Sequence, residues 1–207
     1  MTYRLIASLI ASLALFLAGC GDKPGATAAA KATSTPVSIE AISSQAEGFT
    51  AGSSVSARTV YVFFDPQCPH CNELWEAARP LKAQARFVWI PVGILNASST
   101  SQGAALLSAP DPVAAMDAHE QSMRARQGGI TAAGDLPKRA VVLKNTTLLN
   151  SFGFSSIPTI VAKHAQTGEL VTREGAMPTA ALATFLGLQV PAEGVAPTQA
   201  APAAPAK

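Results

Sequence analysis

Residues Cys68-Pro69-His70-Cys71 stand between an apolar run, Thr59 to Phe64, and a helical pattern that begins near Asn72. Two cysteines two residues apart, carried by a strand to the start of a helix, limit the chain to folds that can hold a thiolate at a helix N-terminus. Amide N–H groups and the helix dipole favour negative charge there, and the thiolate is the nucleophile of disulfide exchange. Cys71, one turn along, can close the ring by attacking Cys68 in a mixed disulfide. Pro69 suits an early helical position because it has no N–H to satisfy, and His70, when charged, further stabilises the Cys68 thiolate.

A bare Cys-x-x-Cys also reads as half of a zinc site, and the rest of the chain argues against that reading. A closed zinc site wants four ligands. The other candidates, Cys20, His119 and His164, are scattered and lack ligand spacing. Residue 72 is Asn, so the Cys-x-x-Cys-His signature of haem attachment is absent as well. No metal and no cofactor is expected beyond a redox-active Cys68–Cys71 disulfide.

Cys20 belongs to a different feature. Arg4, the apolar stretch Leu5 to Phe16 and then Leu17-Ala18-Gly19-Cys20 resemble a bacterial lipoprotein signal with its lipobox. Residues 1–19 are then a signal peptide, Cys20 carries the lipid, and the apolar segment is not a permanent membrane span. An export signal implies an oxidising compartment, the periplasm, where disulfides form and persist. Gly21 after Cys20 leans towards the outer membrane over the inner. With Cys20 set aside, one pair of cysteines remains.

Residues 20–36 are mostly Gly, Ala, Lys, Thr, Ser and Pro, too poor in large apolar groups to offset their ordering entropy, and read as a flexible tether. Residues 190–207 are Pro/Ala-rich and read as a disordered tail. One domain, 37–189, is expected between them. The 207 residues are 48% hydrophobic and 14% charged, which suits a folded unit, and a net charge of +2 gives no argument for nucleic acid or an anionic surface.

Periodicity and punctuation order the elements. Thr59 to Phe64 and Arg86 to Val92 are strands. Between them Leu74, Ala77, Ala78, Leu81 and Ala85 recur at helical spacing, with a kink expected at Pro80. Strand, helix, strand implies a right-handed parallel crossover, with the cysteines at the carboxyl end of the first strand. Residues 100–153 carry helix signals only, one helix opening at Asp111-Pro112 and another at Leu136-Pro137 and running to Gly153; they form a helical insertion. His119, in the first of these, is read as a surface or capping residue. Ile157-Pro158-Thr159 opens a strand, Gln166-Thr167-Gly168 turns the chain into Glu169 to Glu174, and a last helix after Met177-Pro178 stops at Gly187. The expected fold class is α/β: β-α-β, helical insert, β-β-α.

That order, with Cys-Pro-His-Cys at the first helix and Ile-Pro-Thr opening the third strand, resembles the thioredoxin fold. More narrowly, Phe64-Asp65-Pro66-Gln67-Cys68-Pro69-His70-Cys71, with Ala78-Arg79-Pro80 and Pro91-Val92-Gly93-Ile94-Leu95, resembles the catalytic domain of the DsbG/DsbC branch of periplasmic disulfide isomerases, over roughly residues 58–189. The resemblance implies a thiol:disulfide interchange enzyme. It makes Cys68 the nucleophile, Cys71 the resolving thiol and Pro158 a cis-proline facing them, with the Ile157 backbone pairing to the substrate chain. Implied partners are exported proteins with cysteines and a membrane redox partner that resets the dithiol.

Two departures bear on direction. The branch has an N-terminal dimerisation domain, whereas about 38 residues separate Cys20 from the first expected strand, so a monomer is expected. Pro-His between the cysteines is the DsbA dipeptide, while Ile before the cis-proline is the thioredoxin residue; isomerase or reductase is favoured over oxidase by branch. The buried acid of thioredoxin, six positions before the first cysteine, is Val62 here, and Asp65 and Glu73 are read as ordinary turn or surface acids. The readings left open are a non-catalytic chaperone-like or metal-carrying lipoprotein on the same fold, and a dedicated reductase of one cytochrome-maturation or secretion partner.

Overall fold

A computed structural model describes residues 34–131 and 136–192. The expected signal peptide 1–19, the lipidation site Cys20, residues 20–33 of the expected tether and residues 193–207 of the expected tail lie outside the described residues. Thr35, within the expected tether, donates its backbone N–H to Ser151 O at 2.8 Å.

Strand β2 (Thr59–Phe64) is apolar on both faces and occupies the middle of a five-stranded sheet. Val60, Val62 and Phe64 enter one core, and Tyr61 and Phe63 the other, as the two-residue strand period requires. With β1 (Phe49–Gly52), β3 (Arg86–Pro91), β4 (Thr159–Lys163) and β5 (Leu170–Glu174) the sheet order is β1-β3-β2-β4-β5. Only the β2/β3 pair is parallel, running Thr59 opposite Arg86 to Phe64 opposite Pro91.

Helix α2 (Pro69–Ala78) crosses between β2 and β3, with Cys71, Leu74, Trp75, Ala77 and Ala78 buried. Pro80 has no N–H to extend the helical ladder, and residues Arg79–Leu81 tighten into a 3₁₀ turn, which is the form the expected kink takes. Trp75 and Trp89 stack edge to face at 4.8 Å, and Phe49 and Phe64 complete an aromatic cluster that seats α2 on the sheet. Such pairs add about 0.5–1.5 kcal/mol each beyond their buried area.

Helices α3 (Ala97–Ser108), α4 (Pro112–Arg124) and α5 (Leu136–Ser151) form the expected insertion. Asp111 caps α4 through its side chain at the expected N-cap. Two elements precede the expected first strand: α1 (Ile39–Gln45), capped by Ser38, and β1, which pairs with β3 along its free edge. The last helix, α6 (Thr179–Leu186), ends at Gly187 with φ +69°, a left-handed cap that favours glycine. No helix among the described residues is long and apolar enough to cross a membrane.

His119 departs from the sequence reading. It lies wholly buried in α4, not at the surface. Its Nε2–H donates to Pro66 O at 2.7 Å and its Nδ1 accepts from the Ile130 amide at 3.1 Å, a neutral tautomer that burial favours by holding the pKa below the usual imidazole value. Asp65 departs likewise: it is a turn acid, but fully buried.

Candidate functional site: a dithiol at a helix N-terminus

Cys68 is the N-cap residue of α2, with extended backbone angles (φ −94°, ψ 116°), and Pro69 follows at the first helical turn. The Cys68 amide donates to Asp65 O at 3.0 Å, and no side chain caps the helix. The Cys68 sulfur thus takes the place a capping oxygen would occupy, where the unpaired N–H groups favour an anion. Cys68 is 7% exposed and Cys71 fully buried, and both are free thiols.

The two sulfurs are driven apart in acidity. A hydrogen bond from the Cys71 thiol does most to favour the Cys68 thiolate; burial opposes it, and the backbone amides of Cys71 and His70 and then the charge of His70 add to it. Cys68 settles at about 7, below its ordinary 9.0. Cys71 moves well above the ordinary thiol range, first because it is buried and then because it serves the Cys68 anion. His70 lies exposed on the first turn, with Nδ1 3.0 Å from Glu73 Oε2, and that hydrogen bond raises its pKa. Its charge is the smallest of the influences on Cys68.

Opposite the dithiol, the loop before β4 carries a cis Ile157–Pro158 bond. The protonated Cys68 thiol faces the Ile157 carbonyl oxygen at 3.8 Å. Glu174 on β5 holds this loop from behind, its Oε2 accepting from the Ser156 amide at 2.7 Å and the Ser155 amide at 3.3 Å. Cys68, Pro69, His70, Cys71, Ile157 and Pro158 are therefore brought together where β2 ends and β4 begins, in the middle of the sheet; Cys20 lies outside the described residues.

The insertion braces this end of the strands. Asp65 accepts from the Gln67, Ile94 and Leu95 amides at 2.8, 2.7 and 2.9 Å, tying the end of β2 to the chain that follows β3. Gln67 Nε2 donates to Gln102 Oε1 of α3 at 2.5 Å, and Asn72 donates to the carbonyl of Glu120 on α4 at 3.2 Å. Between α2 and α4 runs a groove of about 250 Å³ lined by Cys68, Pro69, Asn72, Glu73, Met123 and Arg124. Among the described residues no three His, Cys, Asp or Glu side chains converge as a metal site would require.

Asn72, Gln102 and Glu120 escaped the sequence reading. The signal for Glu120 was present: it stands four residues after Met116 and three before Met123, so an ionisable group occupies the buried stripe of α4.

A reactive cysteine pair at the start of the helix after the central strand, faced by a cis X–Pro bond, marks a dithiol protein of the thioredoxin kind. The chain belongs to the thioredoxin-like domain family, whose model matches residues 51–189. It is 35% identical to the thiol:disulfide interchange protein DsbG of Pseudomonas aeruginosa over 140 residues, 66% of this chain and 54% of that one. It is 31% identical to DsbG of Escherichia coli over 105 residues, 49% and 42% of the two chains. The chain therefore spans about half the length of the curated relatives it matches. Its fold also superposes on a periplasmic thioredoxin-like protein from Salmonella enterica serovar Typhimurium with a TM-score of 0.57, at 16% identity, over 74% of this chain and 97% of that one.

Proposed function

We propose that this protein is an exported, lipid-anchored thiol:disulfide oxidoreductase that exchanges disulfides with cysteine-containing proteins through Cys68. The observation that carries the reading is the asymmetry of the dithiol: Cys68 at about 7 beside the Ile157 carbonyl, and Cys71 buried and far less acidic. The Cys68 thiolate attacks a substrate disulfide, forming a Cys68–substrate bond and releasing one substrate thiolate. Cys71 then loses its proton and attacks the Cys68 sulfur. The Cys68–Cys71 disulfide forms, the second substrate thiolate leaves, and the substrate disulfide has been reduced at the expense of the dithiol. The reverse sequence deposits a disulfide.

An extended substrate segment pairs with the Ile157 backbone and runs along the groove between α2 and α4, where Met123 supplies apolar surface and Arg124 charge. Export and lipidation rest on residues 1–20, and the periplasmic thioredoxin-like protein that shares this fold supports the compartment. A membrane redox partner resets the pair, and the dithiol itself is the only redox group needed.

Direction follows from acidity. The nucleophilic cysteine has a pKa of about 7 in thioredoxin and about 3.5 in DsbA, and the more acidic thiol makes the stronger oxidant. The value of about 7 for Cys68 supports a reductase over an oxidase, while the isomerase reading is supported by the likeness to DsbG. Equilibration with glutathione buffers is expected to place the potential nearer to about −270 mV than to about −120 mV. The exchange itself is tested with Cys71→Ala, which arrests the reaction at the mixed disulfide: mass spectrometry should recover exported proteins joined through Cys68, and recovery of none would sink the reading.

A further inference from the structure

Glu120 is a buried ionisable group that the exchange scheme above leaves unused, and unlike Asp65 and His119 it keeps a polar atom without a partner among the described residues. It sits on the face of α4 turned towards α2 and is 1% exposed. Its Oε2 and its backbone carbonyl accept from the side-chain amide of Asn72, the residue next to Cys71. Its Oε1 is buried and has no hydrogen-bond partner among the described residues. A buried carboxylate oxygen without a donor is costly, so the site either keeps a proton on it or receives one. The charge of Glu120 opposes ionisation of Cys71, and the Cys68 thiolate in turn opposes ionisation of Glu120. The other charges it meets are Glu76 on α2 and Arg124 on its own helix, and the sequences of α3 and β1 contain no ionisable residue.

The geometry points to Glu120 as the group that takes the proton Cys71 must lose when it attacks the mixed disulfide. This rests on the exchange function proposed above. Before the step Glu120 is a carboxylate, Cys71 a thiol, and Cys68 is bonded to the substrate sulfur. In the step the Cys71–Cys68 bond forms, the Cys68–substrate bond breaks with its electron pair on the leaving sulfur, and the proton moves from Cys71 to Glu120. In this step the Cys71 sulfur is oxidised and the substrate sulfur reduced, while Cys68, disulfide-bonded before and after, keeps its oxidation state. Glu120 then gives up the proton, which ends on the departing thiolate or in solvent.

Burial, only partly offset by the Asn72 hydrogen bond and by Arg124, raises the carboxyl pKa to about 7, so that it can both accept and release a proton near neutrality. A mixed disulfide carries no charge on Cys68, which removes one of the anions that oppose ionisation of Glu120 at the moment the base is needed. The helical insertion thereby supplies, from outside the central sheet, the buried acid that Val62 cannot provide from within it.

The test separates the two thiol steps. Reduced wild-type protein and Glu120→Gln are mixed with oxidised glutathione, quenched in acid, and the glutathione adduct of Cys68 is counted by mass spectrometry against time and pH. In the variant the adduct should form and then persist, its resolution by Cys71 slowed by roughly 100-fold or more at pH 7. The wild-type resolution rate should bend somewhat below pH 7, since the adduct has no Cys68 anion to oppose ionisation of Glu120, and the variant rate should climb without that bend. Glu120→Asp, which keeps the carboxyl, should restore the bend. In wild-type protein alone, infrared spectra should show a buried carboxyl band that disappears with a midpoint near pH 7, so the inference stands or falls even if a variant fails to fold. Equal resolution rates and pH profiles in wild type and Glu120→Gln, or no such band, overturn it and leave the exchange function standing. Failure of wild-type protein to form any adduct overturns both.

Discussion

The Cys68 sulfur lies 3.8 Å from the carbonyl oxygen of Ile157, across the cis Ile157–Pro158 bond from the start of α2. A neutral thiol can donate to that oxygen and a thiolate cannot, so the carbonyl does nothing to stabilise the anion. The acidity of Cys68 comes from the other side, from the Cys71 thiol and the amides of the first helical turn. The cis-proline loop is thus free to engage a substrate backbone while the helix holds the charge.

The thiolate absorbance of reduced protein at 240 nm should titrate with a midpoint of about 7. Cys71→Ala removes the largest stabilising influence and should carry the midpoint up towards 9.0. His70→Ala should raise it by a smaller amount. An unchanged midpoint in Cys71→Ala would contradict this assignment of causes.

Reduced protein should gain stability relative to oxidised protein between pH 7 and pH 9. The Cys68 pKa is depressed on folding, so its contribution is fully present above the unfolded value of 9.0 and is lost as pH falls through about 7. Two units correspond to at most about 3 kcal/mol. Parallel denaturant titrations of the two redox forms isolate the thiols, because only Cys68 and Cys71 differ between them, and Cys71, held well above 9.0 in the folded protein, opposes the gain only as the pH nears 9.0. A difference that does not change over this window would refute it.

Asp65 is the fastening of the site. Replacement by Ala leaves the Gln67, Ile94 and Leu95 amides without their acceptor, at a cost of about 3–5 kcal/mol, and Asn should recover part of it. Urea unfolding measures both, and a loss below 1 kcal/mol for Asp65→Ala would show that the amides find other partners.

Gly129 lies at φ +88°, and a Cβ there would stand 2.4 Å from Cε1 of His119. Gly129→Ala should therefore cost about 2 kcal/mol or more, by backbone strain and by displacing the imidazole from Pro66 and Ile130. Hydrogen exchange should accelerate at the Ile130 amide, which donates to His119. Wild-type protection at Ile130 in this variant would mean that the ring is not displaced.

Glu174 holds the Ser155 and Ser156 amides through one carboxylate oxygen. Glu174→Ala should cost about 1 kcal/mol, since the residue is exposed, and should release those two amides to exchange. The rate of Cys68 adduct formation should fall several-fold as the loop loses its register, with the Cys68 midpoint unmoved. A shift in that midpoint would tie Glu174 to the sulfur electrostatics instead.

Local sequence determined β2, the start of α2, the Asp111 cap and the Gly187 stop. In each case the deciding forces act between near neighbours: apolar side chains on both faces of a strand, a proline without an N–H, a capping carboxylate, a residue free to take φ +69°. Strand β1 was not legible, because Phe49-Thr50-Ala51-Gly52 has little strand preference of its own and is held by pairing with β3. His119 was misread for a related reason. Periodicity shows that a position is buried, but not that a Pro66 carbonyl and an Ile130 amide wait on either side of the ring. The same holds for the chemistry of the dithiol. The motif itself specifies a nucleophile at a helix N-terminus, whereas Ile157 and Glu120 are brought to it from 89 and 52 positions beyond Cys68. Only the closed fold sets those distances, and with them the burial and the charges that decide which sulfur ionises and where its proton goes.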